Sequence, residues 1–322
     1  MDQYSVSRAA LPLVPTFLFA SGQGRLHVAV WTLLALSLPA AAAGAQSALN
    51  AAPAAPAQQS TTGAGGDDAW LARTSKLYYS TTKAGLNGFD CAVHPDWRGL
   101  FMTSSPGTEV SEDEAHVVLL KSVKINLHAH MQGGSTLDWN PDPPPGEPLD
   151  DATSQMLARM HEATEQTLEG FMQFWTPFVD GSTVPDSSQG LTITHTSTAH
   201  TIHAEQEGTA LTETFSNDLL LEHFDVDMKS LSIKFQPAYR STDQGLLVKS
   251  FQAHVQPAGS APGQAQDMHV DIEYQTLDGF PIPARLSVAI ANSGTMNFVF
   301  DGCTVSRLQK SAPASTVKPA LQ

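Results

Sequence analysis

The chain has 322 residues and carries 17 basic against 32 acidic side chains, a formal net charge of −15 at pH 7. This excess of negative charge repels phosphate backbones and anionic lipid headgroups, which argues against a nucleic-acid-binding protein. The length suits one large or two small domains, and because no internal repeat is evident we favour one domain.

The first predicted element is an export signal at residues 1–45. Arg25 precedes an apolar run at residues 28–43, and the run ends in the small residues Ala43, Gly44 and Ala45. This order is typical of a secretory signal peptide that is cleaved after Ala45. The alternative is an uncleaved membrane anchor, but the run is shorter than the roughly 20 residues that span a bilayer. We expect export to the periplasm or the extracellular space, with no stable membrane span after cleavage.

Composition divides the rest of the chain into three parts. Residues 46–66 are rich in Ala, Pro and Gly and have almost no large apolar side chains, so they predict a flexible linker. Residues 309–322 have a similar composition and predict a disordered tail. Residues 67–308 between them are expected to form a single domain, and we expect a monomer.

Two principal helices are predicted. The first runs from Asp67 to about residue 84 and is stopped by the glycines of the stretch that begins at Gly85. A Pro-rich break at residues 141–148 precedes the second, which runs from Asp151 to about Phe178 with apolar residues at three- and four-residue steps. Such a stripe predicts a helix that packs against a sheet.

Most other segments alternate between apolar and polar residues. In residues 123–131 every odd position is apolar and every even position is polar, which indicates a strand with one buried face. Similar runs follow from residue 181 almost to the end, joined by short turns. Successive strands with short connections predict an antiparallel meander.

The chain has two cysteines, Cys91 and Cys303, near the two ends of the predicted domain. In an exported protein, an isolated pair of cysteines predicts a structural disulfide. The loop it closes would contain more than two hundred residues, for which the chain-entropy model gives about 5 kcal/mol as an upper value.

One segment resembles a known family. Residues 274–283 (YQTLDGFPIP) and the following 284–288 (ARLSV) are similar to the C-terminal hairpin of lipoprotein carriers of the LolA/LolB type. The order of elements is also similar: a helix, strands, a helical insertion and a long meander. The resemblance implies an α+β fold, in which a curved antiparallel β-sheet forms an open half-barrel and the two principal helices cover its concave face.

The same resemblance implies a lipid-like or apolar small ligand, such as lipoprotein acyl chains, held between the sheet and the helices. Aromatic side chains on these elements are the predicted ligand-binding residues, although an ordinary filled core would use the same residues. They are Trp70, Tyr78, Phe171, Phe174, Trp175, Phe224, Phe235 and Phe251.

Two histidines offer a different interpretation. His128 and His130 lie at i and i+2, on one face of a strand, and this spacing can chelate one metal ion. Solvated histidines on the polar face of a strand would have the same spacing. A histidine-based metal-binding protein is therefore the alternative function, and an envelope interaction protein without a small ligand is a third.

No catalytic residue is predicted. The sequence has no Gly-x-Ser-x-Gly elbow and no glycine-rich phosphate loop between a strand and a helix. We therefore expect a binding protein without a cofactor and without enzymatic activity.

Overall fold

The computed structural model describes residues 64–104, 115–131, 134–141, 150–179, 183–206, 208–260, 265–291 and 294–308. The predicted signal peptide and tail lie outside these residues, as do most of the linker and of the Pro-rich break.

Within the described residues, twelve strands form one curved antiparallel sheet that is not closed. The order across the sheet is β3-β2-β1-β12-β11-β10-β9-β8-β7-β6-β5-β4, so the edge strands are β3 and β4. From β4 to β12 the chain is a continuous meander, as predicted, and the broad class is α+β. The strands are β1 (Leu86–Pro95), β2 (Lys124–His130), β3 (Gly134–Asn140), β4 (Thr192–His195), β5 (Ala199–Gln206), β6 (Thr209–Ser216), β7 (Leu221–Met228), β8 (Leu231–Thr242), β9 (Gly245–Pro257), β10 (Gln266–Leu277), β11 (Phe280–Ile290) and β12 (Gly294–Arg307).

The alternation in the sequence places one face of each strand in the core. In β2, Ile125, Leu127 and Ala129 are buried, while the residues between them are more exposed. The prediction for residues 123–131 is therefore confirmed. The predicted hairpin at residues 274–288 is also present, because β10 ends at Leu277 and β11 begins at Phe280. Asp278 and Gly279 form its turn with φ values of 52° and 86°, as a two-residue Asp-Gly turn requires.

A 29-residue helix, α5 (Asp151–Val179), connects the two edges of the sheet. Its N-terminus is capped by Asp150, whose Oδ1 accepts a hydrogen bond of 2.7 Å from the backbone N–H of Thr153. This cap also lowers the pKa of Asp150. The predicted helix is confirmed, and so is its buried stripe: Leu157, Met160, Thr164, Leu168, Phe171, Trp175 and Phe178.

The predicted N-terminal helix is wrong beyond Thr74. The helix α1 (Ala64–Thr74) begins within the predicted linker, and α2 (Thr81–Ala84) is a separate short turn. Between them a turn at residues 75–77 leads into a short extended stretch, because the backbone of residues 77–79 pairs with the start of β9. The N–H of Tyr79 donates to the carbonyl of Leu246 at 2.9 Å, and the N–H of Leu246 donates to the carbonyl of Leu77 at 2.7 Å. These long-range bonds override the local helical pattern.

Among the described residues, two further helices lie between β1 and β2: α3 (Trp97–Ser104) and α4 (Ala115–Lys121). Trp139 of β3 links this region to α5, because its ring lies 5.8 Å from the ring of Trp97 and stacks on His161 of α5 at 4.8 Å. None of the described helices is both long and apolar enough to cross a membrane.

The predicted disulfide between Cys91 and Cys303 is present. It joins β1 to β12, which are neighbours in the sheet although they lie near opposite ends of the chain. The register shifts where the bond crosses, between Asp90 and Ala92. The first strand is thus fixed covalently to the last.

Candidate functional site

Five phenylalanines form a cluster between α5 and the inner face of the sheet, by which we mean the face that α5 covers. The ring centroid of Phe178 lies 5.8–6.1 Å from those of Phe224, Phe235 and Phe251. Phe174, one turn earlier, lies 5.2 Å from Phe235 and 6.5 Å from Phe251. Most of these pairs meet edge to face, a geometry that aromatic rings favour. These five residues, called the aromatic cluster below, bring α5 against three neighbouring strands.

A second aromatic group adjoins the cluster on α5. Phe171 and Trp175 stack on each other at 5.9 Å. Phe171 lies 6.5 Å from Phe300 of β12, and Trp175 lies 6.2 Å from Phe89 of β1. Trp175 is completely buried. One helix face thus contacts strands from both halves of the sheet.

Trp175 also ends a chain of partly buried hydrogen bonds. Its Nε1–H donates to the hydroxyl of Tyr274 at 2.9 Å, and that hydroxyl donates to the carbonyl of Val248 at 2.6 Å. Burial raises the pKa of Tyr274, so this hydroxyl stays protonated at neutral pH. The indole is therefore held in one orientation by a donor and acceptor pair that the alternation pattern does not reveal.

Trp70 lies elsewhere, where α1 contacts the edge hairpin β4–β5. Its ring centroid is 5.3 Å from that of His195, 5.2 Å from that of His200 and 5.6 Å from that of Phe215. The two histidines approach at 2.7 Å between their Nδ1 atoms, and Nε2 of His195 lies 3.1 Å from Oδ1 of Asp67. We call Asp67, Trp70, His195 and His200 the His–Trp cluster.

The geometry of the His–Trp cluster limits its protonation. The contact between the two Nδ1 atoms needs one of them to donate a proton to the other, and the contact with Asp67 needs Nε2 of His195 to donate. Burial is the main cause that lowers the pKa of His200, and the neighbouring His195 and Arg73 lower it further. His200 therefore favours its neutral form in the folded protein.

Tyr78 crosses from the extended segment before α2 to the far end of the meander. Its hydroxyl donates to the carbonyl of Leu219 at 2.8 Å and accepts from the N–H of Leu221 at 2.7 Å. Its ring meets that of Tyr239 at 5.3 Å, nearly edge to face. Tyr78 is buried and fully bonded, which is the usual state of a structural tyrosine.

Glu213 is the one acidic side chain that the β6 alternation places on the inner face. It is in phase with the buried Leu211 and Phe215, and its partners across the sheet are Ile202 and Phe224. Its Oε2 atom is buried and has no hydrogen-bond partner among the described residues. Desolvation in these apolar surroundings raises the pKa of Glu213 to about 8, so the carboxyl is mainly neutral at pH 7.

Glu213 is one of several buried polar side chains without a hydrogen-bond partner among the described residues. The hydroxyls of Tyr79 and Tyr239 and the Nε1 of Trp70 are also buried without a partner in the described part of the chain. Buried polar atoms in native proteins nearly always have hydrogen-bond partners, and each exception calls for an explanation. The interior is thus packed with aromatic rings yet retains unsatisfied polar atoms.

A cleft of about 710 Å³ opens at the end of the sheet. It lies between α1, α2 and the two hairpin turns β8–β9 and β10–β11. Tyr78, Tyr79 and Phe280 are its buried lining residues with large side chains, and Lys76, Lys83 and Arg307 are its basic ones. The volume is in the range of small-molecule sites.

The histidines of the alternative metal site lie on the outer face of β2. Nδ1 of His128 is 2.6 Å from Oδ1 of Asp90, and its Nε2 is 3.2 Å from Oδ2 of Asp138. Hydrogen bonds to these carboxylates raise the pKa of His128, with Asp90 the larger cause. His130 is exposed on the same strand. Within the described ranges, no group of three or more His, Cys, Asp or Glu side chains is arranged to hold a metal ion.

The structure brings together six of the eight predicted ligand-binding residues. Trp70 and Tyr78 lie apart from them, Trp70 in the His–Trp cluster and Tyr78 between the cleft and the inner face. Sequence reasoning missed Phe178, although it lies on the predicted stripe, and Glu213, although it is in phase with apolar neighbours on β6. The six residues beneath α5 are Phe171, Phe174, Trp175, Phe224, Phe235 and Phe251.

No protein-family model matches this chain, and neither a curated protein nor a solved structure does.

Proposed function

We propose that the protein is an exported carrier or binding protein for a lipid-like or apolar ligand. In this proposal the open sheet is a half-barrel of the LolA/LolB type, its inner face is concave, and α5 with the N-terminal segment covers it. The observation that supports it best is the aromatic cluster. In it, side chains of one amphipathic helix pack against the inner face of an open sheet, in a position that a ligand could take.

Uptake would exchange one apolar contact for another. An acyl chain that enters between α5 and the sheet replaces the rings of Phe174 and Phe178 against the strands. Each buried CH₂ group contributes about 0.8 kcal/mol to such a transfer. The unsatisfied polar atoms of Glu213 and Tyr239 support the proposal further, because a ligand with a polar group can supply their missing partners.

The gate in this mechanism is α5. It is attached at one end to β3 and at the other to β4, the two edges of the sheet. Methionines at its buried surface, Met160 and Met172, adapt to a changed neighbour more readily than branched side chains do. A movement of α5 away from the sheet would therefore open the part of the inner face that this helix covers.

Native mass spectrometry tests the proposal. The mature protein is purified without detergent from cells that export it. We expect an added mass that matches a fatty acid or phospholipid and disappears under denaturing conditions. A bare mass would favour the interaction protein without a small ligand, and a retained metal ion would favour the metal-binding protein at His128 and His130. Either result would contradict the carrier.

A variant pair locates the site. Phe174→Gln places a polar group in the aromatic cluster, and Arg159→Gln changes an exposed residue of the same helix. After removal of bound lipid, we expect Phe174→Gln to lose oleate binding and Arg159→Gln to retain it. Circular dichroism and the denaturation midpoint verify that both variants are folded. Equal oleate binding by the two folded variants would place the ligand elsewhere.

A further inference from the structure

The cleft at the end of the sheet has a charge opposite to that of the whole molecule. Three of the 14 residues that line it are basic, whereas the chain has only 17 basic residues among 322. The cleft also contains Asp186 and Asp278, so its local charge is about +1 when the lysines and the arginine are protonated. Beyond a Debye length of roughly 8 Å the net charge of −15 is screened, and the nearest groups dominate.

The three cations are available to a ligand. Within the part of the chain that the structure describes, no ion pair joins Lys76, Lys83 or Arg307 to a carboxylate. Arg307 is nevertheless held in place: its Nη2 donates to the carbonyl of Asp278 at 2.8 Å, and its guanidinium lies 4.6 Å from the ring centroid of Phe280. A guanidinium has five N–H donors, so this arrangement leaves others for an anion.

The inner wall of the cleft is apolar and leads towards the inner face of the sheet. Tyr78 and Phe280 are buried in this wall. The hydroxyl of Tyr78 is hydrogen-bonded to the backbone of Leu219 and Leu221. Its ring contacts that of Tyr239, whose buried hydroxyl has no hydrogen-bond partner among the described residues. Tyr78 therefore lies between the basic residues of the cleft and the inner face at which we propose that the ligand binds.

We propose that this cleft binds the anionic group, a carboxylate or a phosphate, of an amphiphile whose apolar chain lies against Tyr78 and Phe280 and continues towards the inner face. Lys76, Lys83 and Arg307 contact the anion. This inference rests on the proposed function and gives it a ligand class: anionic amphiphiles in preference to neutral lipids of the same chain length.

The test compares oleate with oleyl alcohol, which has the same chain and no charge, by isothermal titration calorimetry of the mature, lipid-free protein. We expect oleate to bind about tenfold more tightly at low salt, a preference of the size that a few partly exposed ion pairs give. High salt should reduce it. In Lys76→Gln/Lys83→Gln/Arg307→Gln the preference should disappear while oleyl alcohol binding is kept.

Two further variants make the result specific. Lys229→Gln/Lys234→Gln/Lys249→Gln removes the same charge from exposed strand and turn positions outside the cleft and should keep the full preference. Lys76→Gln/Lys83→Gln leaves the contacts of Arg307 intact and should lose part of it. If the triple cleft variant retains the preference, or if the control loses as much, the cations of the cleft do not bind the anion.

The outcomes separate this inference from the proposed function. Binding of both lipids with equal affinity by the natural sequence overturns the inference and leaves the carrier standing. Binding of neither lipid overturns both. A third titration uses inorganic phosphate to distinguish a headgroup from a free anion. If phosphate binds in the cleft and oleate does not, the site is one for small anions and the amphiphile is excluded.

Discussion

Glu213 shows how one side chain can oppose the fold that contains it. A carboxyl whose pKa is raised in the folded state binds a proton that the unfolded chain releases. The folded protein is therefore favoured below the unfolded pKa of about 4.3, and this advantage is lost as the pH rises towards about 8. At neutral pH the folded state carries most of the cost of keeping Glu213 neutral and without a partner.

Replacing Glu213 by Gln should remove this pH dependence. We expect Glu213→Gln to be more stable than the natural sequence at pH 8, by about 1–3 kcal/mol, because the amide never has to take up a proton. Urea denaturation at pH 5 and pH 8 measures the difference. Glu222→Gln, on the exposed side of β7, is the control and should change neither value. A stabilisation that is the same at both pH values would mean that desolvation of the carboxyl is not its cause.

His200 acts in the opposite direction. Its pKa is lowered in the folded state, chiefly by burial, and the neighbouring His195 and Arg73 disfavour its charge further, while within the cluster Asp67 contacts His195. A base with a lowered pKa contributes stability that is present above its unfolded pKa of about 6.5 and is lost as the pH falls. Acid should therefore loosen the contact between α1 and the β4–β5 hairpin.

Hydrogen exchange of the α1 amides tests this expectation. Between pH 7 and pH 5 we expect the protection factors of residues 64–74 to fall in the natural sequence and to stay nearly constant in His200→Asn. His203→Asn, an exposed position of the same strand, is the control and should behave like the natural sequence. The same loss of protection in His200→Asn would assign the effect to another group.

At the scale of elements, the connection between α1 and α2 depends on the absence of a side chain. Gly245 has a φ of +121°, and a Cβ atom there would lie 2.9 Å from the carbonyl oxygen of Leu77 and 2.9 Å from the nitrogen of Tyr79. Both are backbone atoms, which cannot move aside as a flexible side chain can. The extended segment that interrupts the predicted helix therefore needs glycine at the start of β9.

Gly245→Ala should separate this segment from β9. We expect it to lower the free energy of unfolding by about 1–3 kcal/mol, because it combines backbone strain with the close approach. Gly259→Ala isolates the strain, since Gly259 has a φ of +71° and no atom within 4 Å of the added Cβ. Urea denaturation should show the larger loss for Gly245→Ala. Equal losses would mean that the close approach contributes nothing.

Elements with a strong period of their own could be predicted from the sequence, and elements made by distant partners could not. The stripe of α5 and the alternation of β2 are local, and so is the Asp-Gly turn after Leu277. The break after Thr74 is different: the residues there have a helical pattern, and only hydrogen bonds to β9 make them extended. Burial of the aromatic residues of α5 could be predicted for the same local reason, because the apolar face of a helix packs against other apolar residues.

The candidate site was predicted less completely than the fold. The alternation of β6 places Glu213 on the same face as buried apolar residues. Its raised pKa and its lack of a hydrogen-bond partner arise because its neighbours on the adjacent strands, Ile202 and Phe224, are apolar. The basic cleft gathers Lys76, Lys83 and Arg307 from the two ends of the domain. No window of sequence contains these neighbours together, so periodicity alone cannot find them.

At the scale of the whole molecule, the sheet is held as a continuous surface by the junction of β1 and β12. Among the described strands, β3, β2 and β1 are paired with the meander only through β1 and β12, and Cys91–Cys303 crosses this pair. A disulfide that closes a long loop stabilises mainly by restricting the unfolded chain. The bond therefore contributes to the stability of the entire domain.

Removing both cysteines should lower that stability. We expect Cys91→Ala/Cys303→Ala to lose about 2–5 kcal/mol of unfolding free energy, measured by urea denaturation. Dithiothreitol should move the midpoint of the natural sequence towards that of the variant and leave the variant unchanged. An unchanged midpoint in both comparisons would show that the pairing of β1 with β12 does not need the bond.

The junction of β1 and β12 can form only late in the synthesis of the chain. Cys91 and its partner are separated by 212 positions, so at 5–20 residues per second roughly 10–40 s pass between the appearance of one and of the other. Throughout that interval β1 can pair with β2 but not with β12, its other neighbour in the sheet, so the buried side chains of Phe89 and Val93 belong to an incomplete sheet. The disulfide can therefore form only after β12 has been synthesised, so the covalent link between the first and the last strand is among the last contacts that the growing chain can complete.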